Sequence, residues 1–579
     1  MANFEPELLA LFNKLQLELS NGRTFTENAA GAFTSTGDKC LDFFSTVVRS
    51  TSVATVLRGF LAAWNEDPDK AVKLLLNLRD VRGGKGEKKV ALVLMYALSC
   101  WTPLTYLANL LRFLQIGCFK DLLFIAELAT RCSQIKAFKR LPQLDDEEAI
   151  ELKIIACQLK NDESAFLADE HASISLCAKW APTENSHFDR QPLRFSRKIA
   201  KILGIKKKEY RKKLTKLRGH LSVLETLMCT GKVEEIVFKS LPAKAHRLHR
   251  KAFAREENSK KKRSDGRVAL AKRYAEYLEQ LTAGKTSIKS TGIQPHELVK
   301  SYMGPYGFEM DEADATIEGQ WKDLVARLAE SGHFNRVQAV CDVSGSMDGT
   351  PMEVAIALGL VVSELTSPPF RNTLISFSAE PVIHSVTGST LRERVACLEG
   401  MPFGYNTDLI KVFELLLAQA ESQPGSQMVE KLFIFTDMQF DEAEAPDGQP
   451  RAWATTYQHI LRLFGKTRHA VPKIIFWNLR ATKASFPLSK DEEGVALVSG
   501  FSAAMLKAFL ENKEMEAFNP LTVMNETLDK YEITPVPREE RFPIPGRESD
   551  GWTEAFGVVE RVVEEFLTPK RNDRVKKRA

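Results

Sequence analysis

The stretch Val337 to Met347, V-Q-A-V-C-D-V-S-G-S-M, decides the fold. Its first half is an apolar run of strand length, and it stops at an acid, Asp342. Two hydroxyls follow at alternate positions, Ser344 and Ser346. In open α/β sheets, ligands bind beyond the carboxyl ends of the strands. A loop leaving such an end can aim one carboxylate and two hydroxyls into the same small space. That set is all oxygen, which hard cations such as Mg2+ prefer.

Two more oxygens are expected from elsewhere in the chain. Lys431 to Asp437, K-L-F-I-F-T-D, reads as a second buried strand ending in an acid. Between the two strands lies G-Y-N-T-D, which places Thr407 just before a helical pattern. Asp342, Ser344, Ser346, Thr407 and Asp437 together resemble the metal-ion-dependent adhesion site of von Willebrand factor A domains. The resemblance implies Mg2+ (or Mn2+ or Ca2+) as the ion. The competing reading is that Asp342 and Ser344 only cap a helix.

Working outward, strands and helices alternate from Arg336 onward, as a doubly wound fold requires. Strands are expected at Val337–Cys341, Thr373–Phe377, Val382–Val386, Leu432–Phe435, Ile474–Trp477 and Val495–Val498. Upstream, helical patterns follow one another to about residue 280, including Val53–Trp64, Ala71–Leu78, Lys88–Cys100 and Pro103–Leu114. A short helix is also expected around Leu8 to Leu15, then a polar loop up to Lys39. The fold class is therefore a multidomain α + α/β chain. A helical HEAT-like repeat region (1–300) and a bridging helix (301–335) precede a doubly wound α/β domain (336–535) and a C-terminal extension with a basic tail (536–579).

Composition narrows the function classes. Charged residues make up 27% of the 579 and hydrophobics 44%, values of a soluble globular protein. No apolar run approaches the roughly 18 residues of a membrane span. The first residues, M-A-N-F-E-P-E-L, do not read as a secretory signal. Nine scattered cysteines without zinc spacing suit a reducing compartment, so a cytoplasmic or nuclear location is expected. Net charge is +5, yet residues 190–273 hold 27 Lys and Arg against 7 Asp and Glu. Such an excess attracts polyanions. Lys206, Lys207, Lys208, Arg211, Lys212, Lys213, Lys216, Arg247 and Arg250 are its candidate RNA contacts. A basic glycine loop, Arg79 to Lys89, adds Arg82 and Lys85 as a possible phosphate cradle, with an exposed turn as the plainer reading.

C-D-V-S-G-S-M, A-L-G-L-V-V-S-E-L, I-S-F-S-A-E-P, F-T-D-M-Q-F-D and I-I-F-W-N-L-R resemble the family known as domain of unknown function 2828. S-L-C-A-K-W-A-P and Q-P-H-E-L-V-K-S-Y-M extend that resemblance into the N-terminal half. The layout is similar to that of the Ro/TROVE ribonucleoproteins, whose helical ring binds RNA. This implies a non-catalytic RNA-binding scaffold whose metal site takes a second, acidic protein ligand. The alternative is a protein–protein adaptor that uses the metal site without RNA. No nucleophile and base pair is evident, so no enzyme activity is expected.

Overall fold

The computed structural model describes residues 22–133, 135, 149–257, 263–303, 312–377, 380–398, 409–422, 428–440, 455–481, 485–510, 517–541 and 559. The helix expected around Leu8, Lys260–Lys262, Thr407 and the C-terminal basic tail lie outside the described residues.

The α/β half is a six-stranded sheet. Its strands are β3 (Val337–Asp342), β4 (Thr373–Phe377), β5 (Val382–Ser385), β6 (Lys431–Thr436), β7 (Lys473–Asn478) and β8 (Val495–Ser499). Their order is β5-β4-β3-β6-β7-β8, all parallel except the β4–β5 edge pair. All six expected strands are present. β3 and β8 are buried along their whole length, and β6 and β7 at every residue but the first. Strands covered on both faces carry near-continuous apolar sequence. That is why they are readable without tertiary information. Alternate residues supply two cores. Ala339, Cys341, Phe433, Phe435, Ile475 and Trp477 face the helical half of the chain. Val340, Ile434, Ile474 and Phe476 face the helices Leu409–Ser422 and Thr456–Phe464.

The chain leaves β3 in one direction to form β4 and β5, then returns to the other side to add β6. The carboxyl ends of β3 and β6 therefore flank the switch point of the sheet, where a crevice opens in such folds. The helix Thr350–Leu365 covers β3 closely. A Cβ on its Gly359 would stand 2.4 Å from the Cys341 sulfur, so glycine is what lets helix and strand meet.

The N-terminal half is helical from Lys39–Thr46 through Ala315–Ala329. Many of its helices start on a polar cap. Asp38, Ser52 and Asp67 accept from the backbone N–H three residues on, and Pro68 follows the last of these caps. The helix Pro103–Ile116 is capped differently. The Glu540 carboxylate accepts from Leu104 N at 2.8 Å and Thr105 N at 2.7 Å, from 436 and 435 residues away. A carboxylate at a helix N-terminus also faces the favourable end of its dipole.

The two halves share one apolar core, which runs from Cys40 through the sheet to Tyr531. Residues 26–39 read as a polar loop, yet Gly31–Phe33 (β2) pairs with Arg23–Phe25 (β1) in a hairpin. It lies against the α/β half. Thr26 donates its hydroxyl to Phe440 O at 2.7 Å, and Phe33 bridges to Phe486. A separate cluster around Phe238, Phe253, Tyr274 and Tyr277 closes the basic region.

Candidate metal centre and basic surface

Asp342 is the last residue of β3 and is wholly buried. Its Oδ1 accepts from Ser344 N at 3.0 Å, and its Oδ2 accepts from Thr436 Oγ1 at 2.8 Å. Thr436 ends β6, so the two central strands clamp this carboxylate between them. A short turn, Gly345–Met347, carries Ser346 back beside Ser344. The two hydroxyl oxygens lie 3.0 Å apart. Ser344 is buried and Ser346 is exposed, so the pair runs from the interior to the mouth of the crevice. Asp437 follows β6, is 1% exposed, and accepts from Gln439 N at 3.1 Å. Met438, with φ of +65°, turns the chain away immediately after it.

The electrostatics agree with this geometry. Burial, and next the charge of Asp437, push the Asp342 carboxyl up to about 6. Two carboxylates held in one dry space repel each other, and a cation would relieve that repulsion.

The structure therefore brings together four of the five expected site residues, Asp342, Ser344, Ser346 and Asp437. Two further participants were not read from sequence. Thr436 was hidden inside a strand pattern. Arg480 follows β7 and lies just past the strand read at Ile474–Trp477, at the end of the family-like stretch I-I-F-W-N-L-R. Its Nη1 is 3.8 Å from Asp437 Oδ2 and donates to the Ser346 carbonyl. A guanidinium thus stands at the mouth of the crevice. Among the described residues no group of three or more His, Cys, Asp or Glu is arranged to hold a metal. Any ion here would depend on two carboxylates plus hydroxyls. That donor set fits a hard divalent cation and does not suit zinc.

The helical half matches the profile of a family described as domain of unknown function (DUF2828), over residues 26–154 and 149–334. The chain belongs to this family. A second profile, also described as a domain of unknown function (DUF7788), matches residues 336–541. The DUF2828 match thus stops at the start of the sheet, where the sequence resemblance had carried it through the α/β half as well. The chain is also 40% identical over 523 residues to "Uncharacterized protein L728" of Acanthamoeba polyphaga mimivirus, covering 89% of this chain and 88% of that protein.

In this DUF2828 member the candidate nucleic-acid residues separate into groups. Lys85 is not a phosphate contact. It is 2% exposed, and its ammonium donates to Phe44 O, to Val47 O at 3.1 Å and to Ser499 Oγ at 2.6 Å. The loop folds inward because β8 offers those partners. Lys213, Arg247 and Arg250 are engaged with Glu163, Glu297 and Asp314, at 2.6, 3.0 and 2.6 Å. The helix Lys207–His220 buries Tyr210, Leu214 and Leu217 on one stripe. Lys207, Lys208, Arg211, Lys212 and Lys216 are exposed, as is the preceding Lys206. Arg82 is exposed in the glycine loop.

Arg480→Ala is expected to tighten the binding of bare Mg2+ by about threefold to tenfold, because it removes a cation that competes for Asp437. Calorimetric titration of the full chain with MgCl2 measures this. Equal affinity in both proteins would mean that Arg480 does not contend for the site.

Proposed function

We propose that this chain is a non-catalytic RNA-binding scaffold of Ro/TROVE-like layout, with a von Willebrand factor A-like half that takes a second, acidic ligand through a divalent cation. The observation that carries the reading is the convergence of Asp342, Asp437, Ser344 and Ser346 at the switch point of the sheet. Mg2+ (or Mn2+ or Ca2+), when bound, supplies a position that accepts an anionic oxygen. The chain's own residues do the rest. Ser344 N and Thr436 hold the two oxygens of Asp342, and Gln439 N orients Asp437. Ser344 and Ser346 are neutral donors, so positive charge is retained for the partner. Arg480 at the mouth offers that partner a second cation.

For RNA, support comes from the exposed basic face of Lys207–His220, where Lys208, Arg211, Lys212 and Lys216 rise above a buried apolar stripe. Such a face binds backbone phosphates in a salt-dependent way. The Ser376–His384 contact at 3.0 Å offers no nucleophile, because Ser376 is wholly buried in β4. The adaptor reading without RNA draws on the ion pairs that occupy Lys213, Arg247 and Arg250.

One pair of variants separates these readings. Asp342→Ala should weaken Mg2+ binding about a hundredfold or more, since it removes one of two charged donors. Reversing Lys208, Arg211 and Lys212 to Glu should abolish a salt-sensitive RNA mobility shift while leaving Mg2+ binding intact. RNA binding unchanged by charge reversal sinks the RNA assignment. Mg2+ binding unchanged in Asp342→Ala sinks the metal assignment.

A further inference from the structure

A cleft of about 500 Å3, solvent at its mouth included, lies between the two halves of the chain. It is remote in composition from the metal centre and shares no residue with it. Its walls come from the glycine loop, the turn before the short helix Pro295–Val299, the helix Ala315–Ala329, and the segment after β8.

Three cations line it, Arg82, Arg327 and Lys507, and no carboxylate does. Arg327 is partly neutralised, with Nε 3.1 Å from Asp323 Oδ2. Arg82 and Lys507 have no acidic partner among the described residues. Arg82 makes only a long contact, 3.4 Å to Gln115 O, apart from its backbone N–H to Asp80. Two polar side chains deepen the site. Gln294 is 4% exposed, lines the cleft, and has no side-chain hydrogen-bond partner among the described residues. Ser502 is 1% exposed; its oxygen accepts from Ala504 N, which leaves its hydroxyl proton free to donate. Opposite these groups, Leu324 and Leu328 form an apolar wall.

We propose that this cleft binds the phosphate or diphosphate group of a phosphorylated ligand. Two cations without acidic partners, a third beside them and two polar side chains match the charge and acceptor density of a phosphate or diphosphate. The apolar wall of Leu324 and Leu328 suits the organic part. Arg82 then serves a compact anion here, apart from the basic face of Lys207–His220. The phosphate arrives either on a free nucleotide or at the 5′ end of an RNA strand.

The test is calorimetric titration of the full chain at low salt, in EDTA so that the metal centre cannot respond. The probes are inorganic pyrophosphate, ADP, and a short RNA with either a 5′-phosphate or a 5′-hydroxyl. Pyrophosphate and ADP are expected to bind, ADP more tightly because it also uses the wall. Arg82→Ala and Lys507→Ala should each weaken both at least tenfold while melting like the parent. The triple reversal at Lys208, Arg211 and Lys212 should leave pyrophosphate binding unchanged, as should Asp342→Ala, so failure here is distinct from failure of the RNA or metal assignments. A tenfold preference for the 5′-phosphate RNA over its 5′-hydroxyl form, lost in Lys507→Ala, would assign the RNA end as the source. No binding of pyrophosphate or ADP at millimolar concentration, or binding that neither variant weakens, overturns the proposal.

Discussion

Lys85→Ala is expected to cost the folded chain about 3 kcal/mol, read as a fall in the urea midpoint at constant slope. The side chain is among the largest that are fully buried, so truncation leaves a cavity between the helix Lys39–Thr46 and β8. It also removes three hydrogen bonds, to Phe44 O, Val47 O and Ser499 Oγ. Ser499 Oγ lies 2.9 and 3.0 Å from the two carbonyls and its single proton can serve one of them, so the loss combines packing with one unmet acceptor. Lys85→Met separates the stem from the charge. Burial holds the Lys85 ammonium down at about 7, against 10.5 in the unfolded chain. Between those values the unfolded chain binds a proton that the folded chain lacks, so stability rises with pH across that window and is lowest at and below pH 7. Methionine has no such cost. Relative to the parent, Lys85→Met should be most favourable at pH 7 and lose that advantage, up to roughly 5 kcal/mol before compensation by the three acceptors, as the pH approaches 10. A difference in melting temperature that does not change with pH would show that the buried group keeps its proton throughout.

Gly84→Ala should be as damaging or worse, roughly 3–5 kcal/mol. A Cβ there would sit 2.1 Å from the Asn77 carbonyl oxygen and 2.9 Å from the Tyr531 hydroxyl. The backbone cannot back away, because Lys85 N donates to that same carbonyl at 2.9 Å. Gly83→Ala is the control. Its Cβ would meet only the Asp80 carboxylate at 3.0 Å and the flexible end of Lys530 at 3.5 Å, so a loss under about 1 kcal/mol is expected. Equal thermal stability of the two variants would refute the close approach at Gly84.

Both predictions concern a loop that sequence presents as a phosphate cradle or an exposed turn. The misreading of Lys85 has a physical origin. A lysine among glycines is solvated unless acceptors close over it, and those acceptors come from residues 44, 47 and 499. The strands of the sheet were legible for the opposite reason, since burial on both faces writes itself into local composition. The hairpin β1–β2 was not, because R-T-F and G-A-F carry too little apolar pattern. Their pairing partners include Phe440 and Phe486, far along the chain. At the candidate site, Asp342, Ser344, Ser346 and Asp437 could be read because each sits at a strand end with a local signature. Arg480 and Thr436 belong to the centre only through the juxtaposition of β3, β6 and β7, which no local pattern encodes.

The strap that follows the helix Pro520–Asp529 has a further consequence for biogenesis. Tyr531 donates to Asp80 at 3.0 Å, Val536 N to Asp69 at 2.7 Å, and Glu540 caps Pro103–Ile116. Residues 69–105 therefore wait for residues 531–540 before their helix end and acids are satisfied. Contacts at such separation are slow to form. A nascent chain stalled before residue 530 would expose the seam that Tyr531 later closes on Asp80, and it would need a chaperone's protection until residues 531–540 emerge.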